Sequence, residues 1–305
     1  MAYLIIIRPL NLLLIVLVQV IIKYGLLETH ILPLALDTIS FGFLVFATVC
    51  IAAAGNVIND IMDVAVDRIN KPQKMVVGIK ITERAAYNYY MVLSILGVGC
   101  GFYLANSIDR PQLAAIFIVI SVLLYLYATH LKAILLVGNL LISLLVAMSL
   151  IVLILFDIYP MIEGTISEIQ TKCSRAILLF AGFAFYINLI REIVKDLQDI
   201  DGDRNGGRST LPIVLGRKRT TDVVFVMGAA ALLSILIFTY TVLYKFQVTA
   251  FYFVFLVGGP LLFFCIKAWK TEHKKHYKLL STLLKVILLL GVVSLMFYAK
   301  ILSQL

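Results

Sequence analysis

Charge is what this sequence has least of. Asp, Glu, Lys and Arg supply 14% of its 305 residues and apolar types 62%, against about 25% and roughly 45–50% in an ordinary soluble domain. A chain this poor in charge cannot cover its own surface with polar groups. That excludes a soluble enzyme, a disordered tail and a secreted disulfide scaffold. Acid is scarcer than base, with 17 Asp and Glu against 26 Lys and Arg, a net charge of +9. In an apolar chain that excess reads as basic loops facing anionic membrane lipids or an anionic substrate, with no nucleic acid as partner. The four cysteines (Cys50, Cys100, Cys173 and Cys265) form no CxxC pair and have no histidine nearby in sequence. They read as small packing residues in helices, on a protein whose active face meets a reducing compartment. Alternation long enough for a membrane strand is missing too, which leaves an all-α fold.

Long apolar runs are what the sequence has in abundance. A helix needs about 20 residues to cross a bilayer, and nine runs qualify, at roughly 10–27, 38–58, 85–106, 111–129, 133–156, 174–194, 221–244, 248–268 and 282–303. The first follows Arg8 but has no small-residue cleavage site, so it is expected to be retained as a helix. The expected fold is a polytopic nine-helix bundle forming a single membrane-embedded domain over residues 1–305. Twenty of the 26 Lys and Arg fall on the side that holds the N-terminus and the loops after the second, fourth, sixth and eighth runs. The positive-inside rule places that side in the cytoplasm and the C-terminus outside, as for a protein of the cytoplasmic membrane. No oligomeric state is predicted.

Against this background two acidic segments stand out, both at cytoplasmic ends of spans. GNVINDIMDVAVDRINKP carries Asn59, Asp60, Asp63 and Asp67, and REIVKDLQDIDGDRNGGRSTLP carries Asp196, Asp199, Asp201 and Asp203. On a helix Asn59, Asp63 and Asp67 share one face, as do Asp196, Asp199 and Asp203, whereas Asp60 points about 100° away from the first line. Charges at the ends of apolar helices are costly unless solvated, paired or bound to metal. Oxygen donors without Cys or His suit a hard cation, and Mg²⁺ above others where it shares ligands with substrate phosphates. Two such clusters suggest two groups of ions with a diphosphate between them. An EF-hand does not fit the second segment, because its required Gly is Arg204 and its Glu is Thr210.

The first segment resembles the NDxxDxxxD signature of the UbiA superfamily of intramembrane prenyltransferases. The second, KDLQDIDGDRNGGRSTLPIVLG from Lys195 to Gly216, resembles that family's KDxxDxxGDxxxGxxTLPxxLG stretch. RPLN from Arg8 to Asn11, YLYATHLK from Tyr125 to Lys132, and Gly138–Asn139 agree in order. The resemblance implies Mg²⁺-dependent transfer of an isoprenoid chain from a prenyl diphosphate to a lipophilic acceptor. Carried over, Asn59, Asp63 and Asp67 would hold one metal group, and Asp199 and Asp203 another with Asp196 in support; Asp201 is outside the pattern and expected to be solvated. Lys132, Arg68, Lys71, Lys74, Lys195, Arg204, Arg208, Arg8 and Asn11 are the candidates for substrate contact. Tyr125 could reach the diphosphate or shield an allylic cation with its ring face.

One departure bears on the acceptor. Where many relatives carry an RPxRP-type run, this chain has Lys71-Pro72-Gln73-Lys74-Met75, which keeps charge but loses the forked Arg donors. The combination looks most like the branch that alkylates geranylgeranylglyceryl phosphate in ether-lipid biosynthesis, or bacterial relatives of it. An aromatic acceptor such as a quinone precursor is the alternative within the family, and a cation-coupled transporter the alternative outside it. A transporter would place its acids near mid-membrane rather than at one boundary.

Overall fold

The structure is a computed structural model that describes residues 1–269 and 274–304, without the side chains of Lys74, Lys274, Lys275 and Ser303. Among the described residues nine helices are long and apolar enough to cross a bilayer. They are α1 (Pro9–His30), α2 (Thr38–Met62), α3 (Glu83–Ser107), α4 (Pro111–Thr129), α5 (Val137–Met161), α6 (Glu168–Asn205), α7 (Arg217–Leu243), α8 (Gln247–Trp269) and α9 (His276–Ile301). Three of them begin at a side-chain cap that satisfies orphaned N–H groups. Asp37 caps α2 by accepting from the Ser40 N–H at 2.7 Å, Thr82 caps α3, and Ser167 with Gln170 forms a reciprocal capping box at α6.

Two departures from the expected spans matter for function. The sixth run was expected to end near 194, but α6 continues unbroken to Asn205. Arg191, Lys195, Asp196, Asp199 and Asp203 therefore sit on one rigid rod, not partly in a loop. The first acidic segment, by contrast, is not one continuous helix. Asp63 adopts φ −93° and ψ 0° between the end of α2 and a short helix, Val64–Asn70. That break turns the following turn of chain toward α6 and interrupts the phasing expected for Asn59, Asp63 and Asp67.

The main hydrophobic core runs through the middle of the bundle, with fully buried residues such as Leu44, Leu153, Ile177, Ile187, Phe264 and Leu284. A smaller cluster of Ile6, Val57, Ile61, Val76, Val77 and Ala128 seats the segment after the first acidic cluster. Asn56 donates to the Ile7 carbonyl at 3.0 Å, which holds the chain entering α1. Arg8, next in line, takes a left-handed backbone (φ 56°) before Pro9 starts the helix. A non-glycine residue held there is strained and persists only where its surroundings fix it.

At the opposite end of the bundle Lys23 and Asp157 form an ion pair of 3.0 Å with side chains 2% and 0% exposed. Lys23 also donates to the Leu36 carbonyl, and the Leu36 N–H donates to Asp157. Each partner lies in a π-helical turn, Ile21–Leu27 in α1 and Ile154–Ile158 in α5. The wider turns bring both groups inward so that each buried charge is compensated.

Candidate active site

Helix geometry places the two acidic segments at the same end of the bundle, and three contacts draw them together. Asn70, at the end of the short helix, donates to the Asp199 carbonyl at 3.0 Å and accepts from the Gly202 N–H at 2.9 Å. A Cβ on Gly202 would collide with that amide, which is why the second segment needs glycine there. Lys71 pairs with Asp199 at 2.5 Å. Arg208, on the turn after α6, reaches both segments, bonding Asp63 and, at 3.0 Å, Asp203.

Lys132 completes the set from a third direction. It lies in the short turn between α4 and α5, and donates to Asp63 at 2.7 Å and to Asn59 at 3.2 Å. Asn59 in turn donates to the other Asp63 oxygen at 2.8 Å. Gly138 lets α5 start close beneath this turn, since a Cβ there would meet the Lys132 backbone and the Tyr127 ring. The Ser209 N–H donates to the Ala133 carbonyl at 2.9 Å, which docks the Arg208 turn on the Lys132 turn. Burial pushes the Asp63 carboxyl upward, but Lys132 and Arg208 outweigh it and hold the group below the usual carboxylate range, so Asp63 stays ionised. At Asp67 burial wins, and the carboxyl lies above its ordinary value despite Lys71.

The remaining expected residues separate into three groups. Asp196 accepts from Asn139 at 2.8 Å across the α5–α6 seam, and Asp201 is exposed. Arg8, Asn11 and Lys195 line an internal cavity of about 310 Å³ that continues from the acidic mouth. Arg68 and Arg204 project outward and form no ion pair among the described residues. The Lys74 side chain lies outside the described residues. Tyr125 requires a correction: it is 42% exposed on the outer surface of α4 and does not line the cavity, whereas Tyr127 does. Two residues along a helix are about 200° apart, so only one of the pair can face inward.

The cavity is amphipathic. Its body is apolar, with Ile15, Ile51, Phe117, Leu124, Val146 and Val292 among its walls. Its head, toward the acidic mouth, adds Arg191 and Glu192 from α6 and Lys285 from α9. None of these three was singled out from the sequence as a site residue. Lys285 falls near the start of the ninth expected run, where it counts with the basic loop before it.

The donors Asn59, Asp63, Asp67, Asp199 and Asp203 are all hard oxygens, so their chemistry fits Mg²⁺. Among the described residues no three acids converge as a ready metal cluster; Asp63, Asp199 and Asp203 instead turn to Lys132, Lys71 and Arg208. Clustered carboxylates of low exposure repel one another, and these cations supply the countercharge.

The sequence matches the UbiA prenyltransferase family over residues 25–300. It is 31% identical over 250 residues to a digeranylgeranylglyceryl phosphate synthase of Korarchaeum cryptofilum, with 80% of each chain covered. Among solved structures, a UbiA homologue from Aeropyrum pernix K1 superposes with a TM-score of 0.64 at 15% identity, covering 96% of this chain and 98% of that one. A UbiA homologue from Archaeoglobus fulgidus bound to DMAPP and Mg²⁺ gives 0.56 at 15% identity, covering 97% and 99%.

Proposed function

The chain belongs to the UbiA prenyltransferase family, an integral membrane enzyme of that type, and from that premise we propose the donor, acceptor and cofactor. The donor is geranylgeranyl diphosphate, the acceptor is the free hydroxyl of geranylgeranylglyceryl phosphate, and the product is an ether lipid. The observation that carries this reading is the meeting of two acidic segments at the mouth of a cavity with an apolar body and a polar head. The acceptor is supported by the relative from Korarchaeum cryptofilum, whose name states that activity.

In the reaction the C1–O bond of the donor breaks, inorganic diphosphate leaves with the electron pair, and the glycerol oxygen bonds C1 as its proton is released. Asn59, Asp63, Asp67, Asp199 and Asp203 would hold Mg²⁺, which when bound draws off charge developing on the departing diphosphate. Lys132, Arg208 and Lys71, which bond Asp63, Asp203 and Asp199, would donate to the phosphate oxygens once those carboxylates turn to Mg²⁺. Cations held around the mouth in this way would stabilise the charge growing on the leaving group. The apolar walls hold the isoprenoid chain and keep water from the allylic cation. Tyr127, which lines the cavity, would turn its ring toward that cation.

The acidic mouth faces the cytoplasm in this proposal, with the N-terminus, and the C-terminus lies outside. The basic residues of Arg8, Lys71, Lys132, Arg208 and the α6–α7 connection gather at that end. The reading is tested by incubating purified protein and Mg²⁺ with labelled farnesyl and geranylgeranyl diphosphates against geranylgeranylglyceryl phosphate and several phenolic acids. Mass analysis should find digeranylgeranylglyceryl phosphate; a prenylated phenolic acid in its place would overturn the acceptor.

A further inference from the structure

The head of the cavity carries charge that the acidic mouth does not use. Arg8 from the N-terminal end of α1, Arg191 and Lys195 from α6, and Lys285 from α9 all line it. Lys285 is near enough to Arg191, Arg8 and the Glu192 carboxylate to interact with each electrostatically. Two acids offset them. Asp60 pairs with Arg8 at 2.5 Å, and Glu192 pairs with Arg191 at 3.1 Å and Lys195 at 2.9 Å. Lys285 bonds the neutral Asn11 amide at 2.7 Å, and no carboxylate stands within ion-pair distance of it among the described residues. Three of the four cations thus share two carboxylates, with Asp63 and Asp196 also within electrostatic reach of Arg8 and Lys195, and Lys285 is left without an ion pair among the described residues. Uncompensated charge inside a span is expensive and marks a ligand of opposite sign.

We propose that Arg8, Arg191, Lys195 and Lys285 form a subsite for the phosphate monoester headgroup of the lipid acceptor, separate from the diphosphate site at the acidic mouth. This rests on the reading of the acceptor given above and assigns residues to its headgroup. A phosphate monoester carries about −1.5 to −2 at neutral pH, opposite in sign to the cations that line the head. The apolar walls beyond the head receive the lipid's chain. Along α6, Arg191 and Lys195 precede Asp199 and Asp203 by eight residues each, which at 1.5 Å per residue offsets the two anion sites by about 12 Å. A donor diphosphate at one end and an acceptor phosphate at the other leave the reacting carbon and hydroxyl between them. The offset also separates two like-charged heads that would repel if they shared one site. Lys285 is the specificity-determining member, because among the described residues its one hydrogen-bond partner is the neutral Asn11 amide and no carboxylate pairs with it.

The test has a binding arm and a kinetic arm. The full chain, purified in neutral detergent, is titrated with dodecyl phosphate, dodecanol and inorganic phosphate while thermal unfolding is followed. Dodecyl phosphate should raise the midpoint, and its Kd should weaken about 10-fold or more in Lys285→Gln, as expected for a lost charge-assisted hydrogen bond. Lys285→Arg should retain binding within about 3-fold by keeping the charge, and Lys132→Gln, at the other site, should leave that Kd unchanged. Equal binding of dodecanol or of inorganic phosphate, or loss in Lys132→Gln but not Lys285→Gln, would overturn the subsite. In the kinetic arm Lys285→Gln should raise KM for geranylgeranylglyceryl phosphate with KM for the donor unchanged. If that acceptor is used and its KM does not move, the subsite fails and the proposed function stands. If no phosphate-headed acceptor is turned over but dodecyl phosphate still binds through Lys285, the proposed acceptor fails and the subsite stands.

Discussion

Arg208 offers the most direct test of how the mouth is assembled. Among the described residues it alone bonds side-chain acids of both segments, and replacing it with Met keeps most of the side-chain volume while removing the charge. Asp203 then loses its ion-pair partner among the described residues, whereas Asp63 keeps Lys132. The three side chains are 15%, 11% and 4% exposed for Arg208, Asp63 and Asp203, so solvent screens little of the loss. Breaking one side of a buried pair costs about 3–5 kcal/mol because a charge is left stranded. Their place at one end of the bundle favours the lower end, about 3 kcal/mol, or roughly 5 °C in the unfolding midpoint for a chain of this size. The double variant Arg208→Met/Asp203→Asn should regain more than half of that fall, because it removes the stranded charge. The assay is thermal unfolding of wild type, both single variants and the double variant in one detergent. A midpoint for Arg208→Met within 1 °C of wild type, or a double variant no better than the single, would refute the argument that this residue neutralises both rims.

Other predictions follow from the same geometry. Asp63→Ala and Asp199→Ala should each abolish turnover while the purified protein still folds, and EDTA should stop wild-type turnover until Mg²⁺ is restored; turnover surviving complete chelation would remove the metal from the reaction. Tyr127→Leu should lower kcat by about 10-fold by removing the ring face from the cavity, whereas Tyr125→Leu should change it less than 2-fold; the reverse order in steady-state kinetics would contradict the orientation of α4. Lys23→Met should destabilise by about 3–5 kcal/mol by stranding Asp157, and Lys23→Met/Asp157→Leu should recover most of it; equal midpoints for the single and double variants would show the pair to be unimportant. A tag at the C-terminus should be accessible from outside intact cells, and labelling only after permeabilisation would reverse the proposed topology.

Much of this protein is determined by composition and period alone. Hydropathy over about 20 residues requires nothing from the rest of the chain, so nine spans and the all-α fold were legible, with ends misplaced by up to 11 residues where α6 runs on as a polar helix. Spacing within one helix is equally local, which is why Asp196, Asp199 and Asp203 could be placed on one face, and Asp60 off the line of Asn59 and Asp63, before any contact was known. The break at Asp63 was not visible, because residues on either side favour a helix and only packing of Val64–Asn70 on α6 rewards interrupting it. Which way a helix is turned was also beyond local pattern. Tyr125 and Tyr127 are chemically alike, and the rotation of α4 about its axis alone decided which one enters the cavity. The ion pairs across elements, Arg208 with Asp63, Lys71 with Asp199 and Lys23 with Asp157, join residues 145, 128 and 134 apart. The same holds for Lys285 with Asn11, 274 residues apart. The sequence supplied charges whose isolation in an apolar chain demanded partners; tertiary structure chose the partners, because that choice depends on helix order, rotation and depth, which no window of neighbouring residues contains.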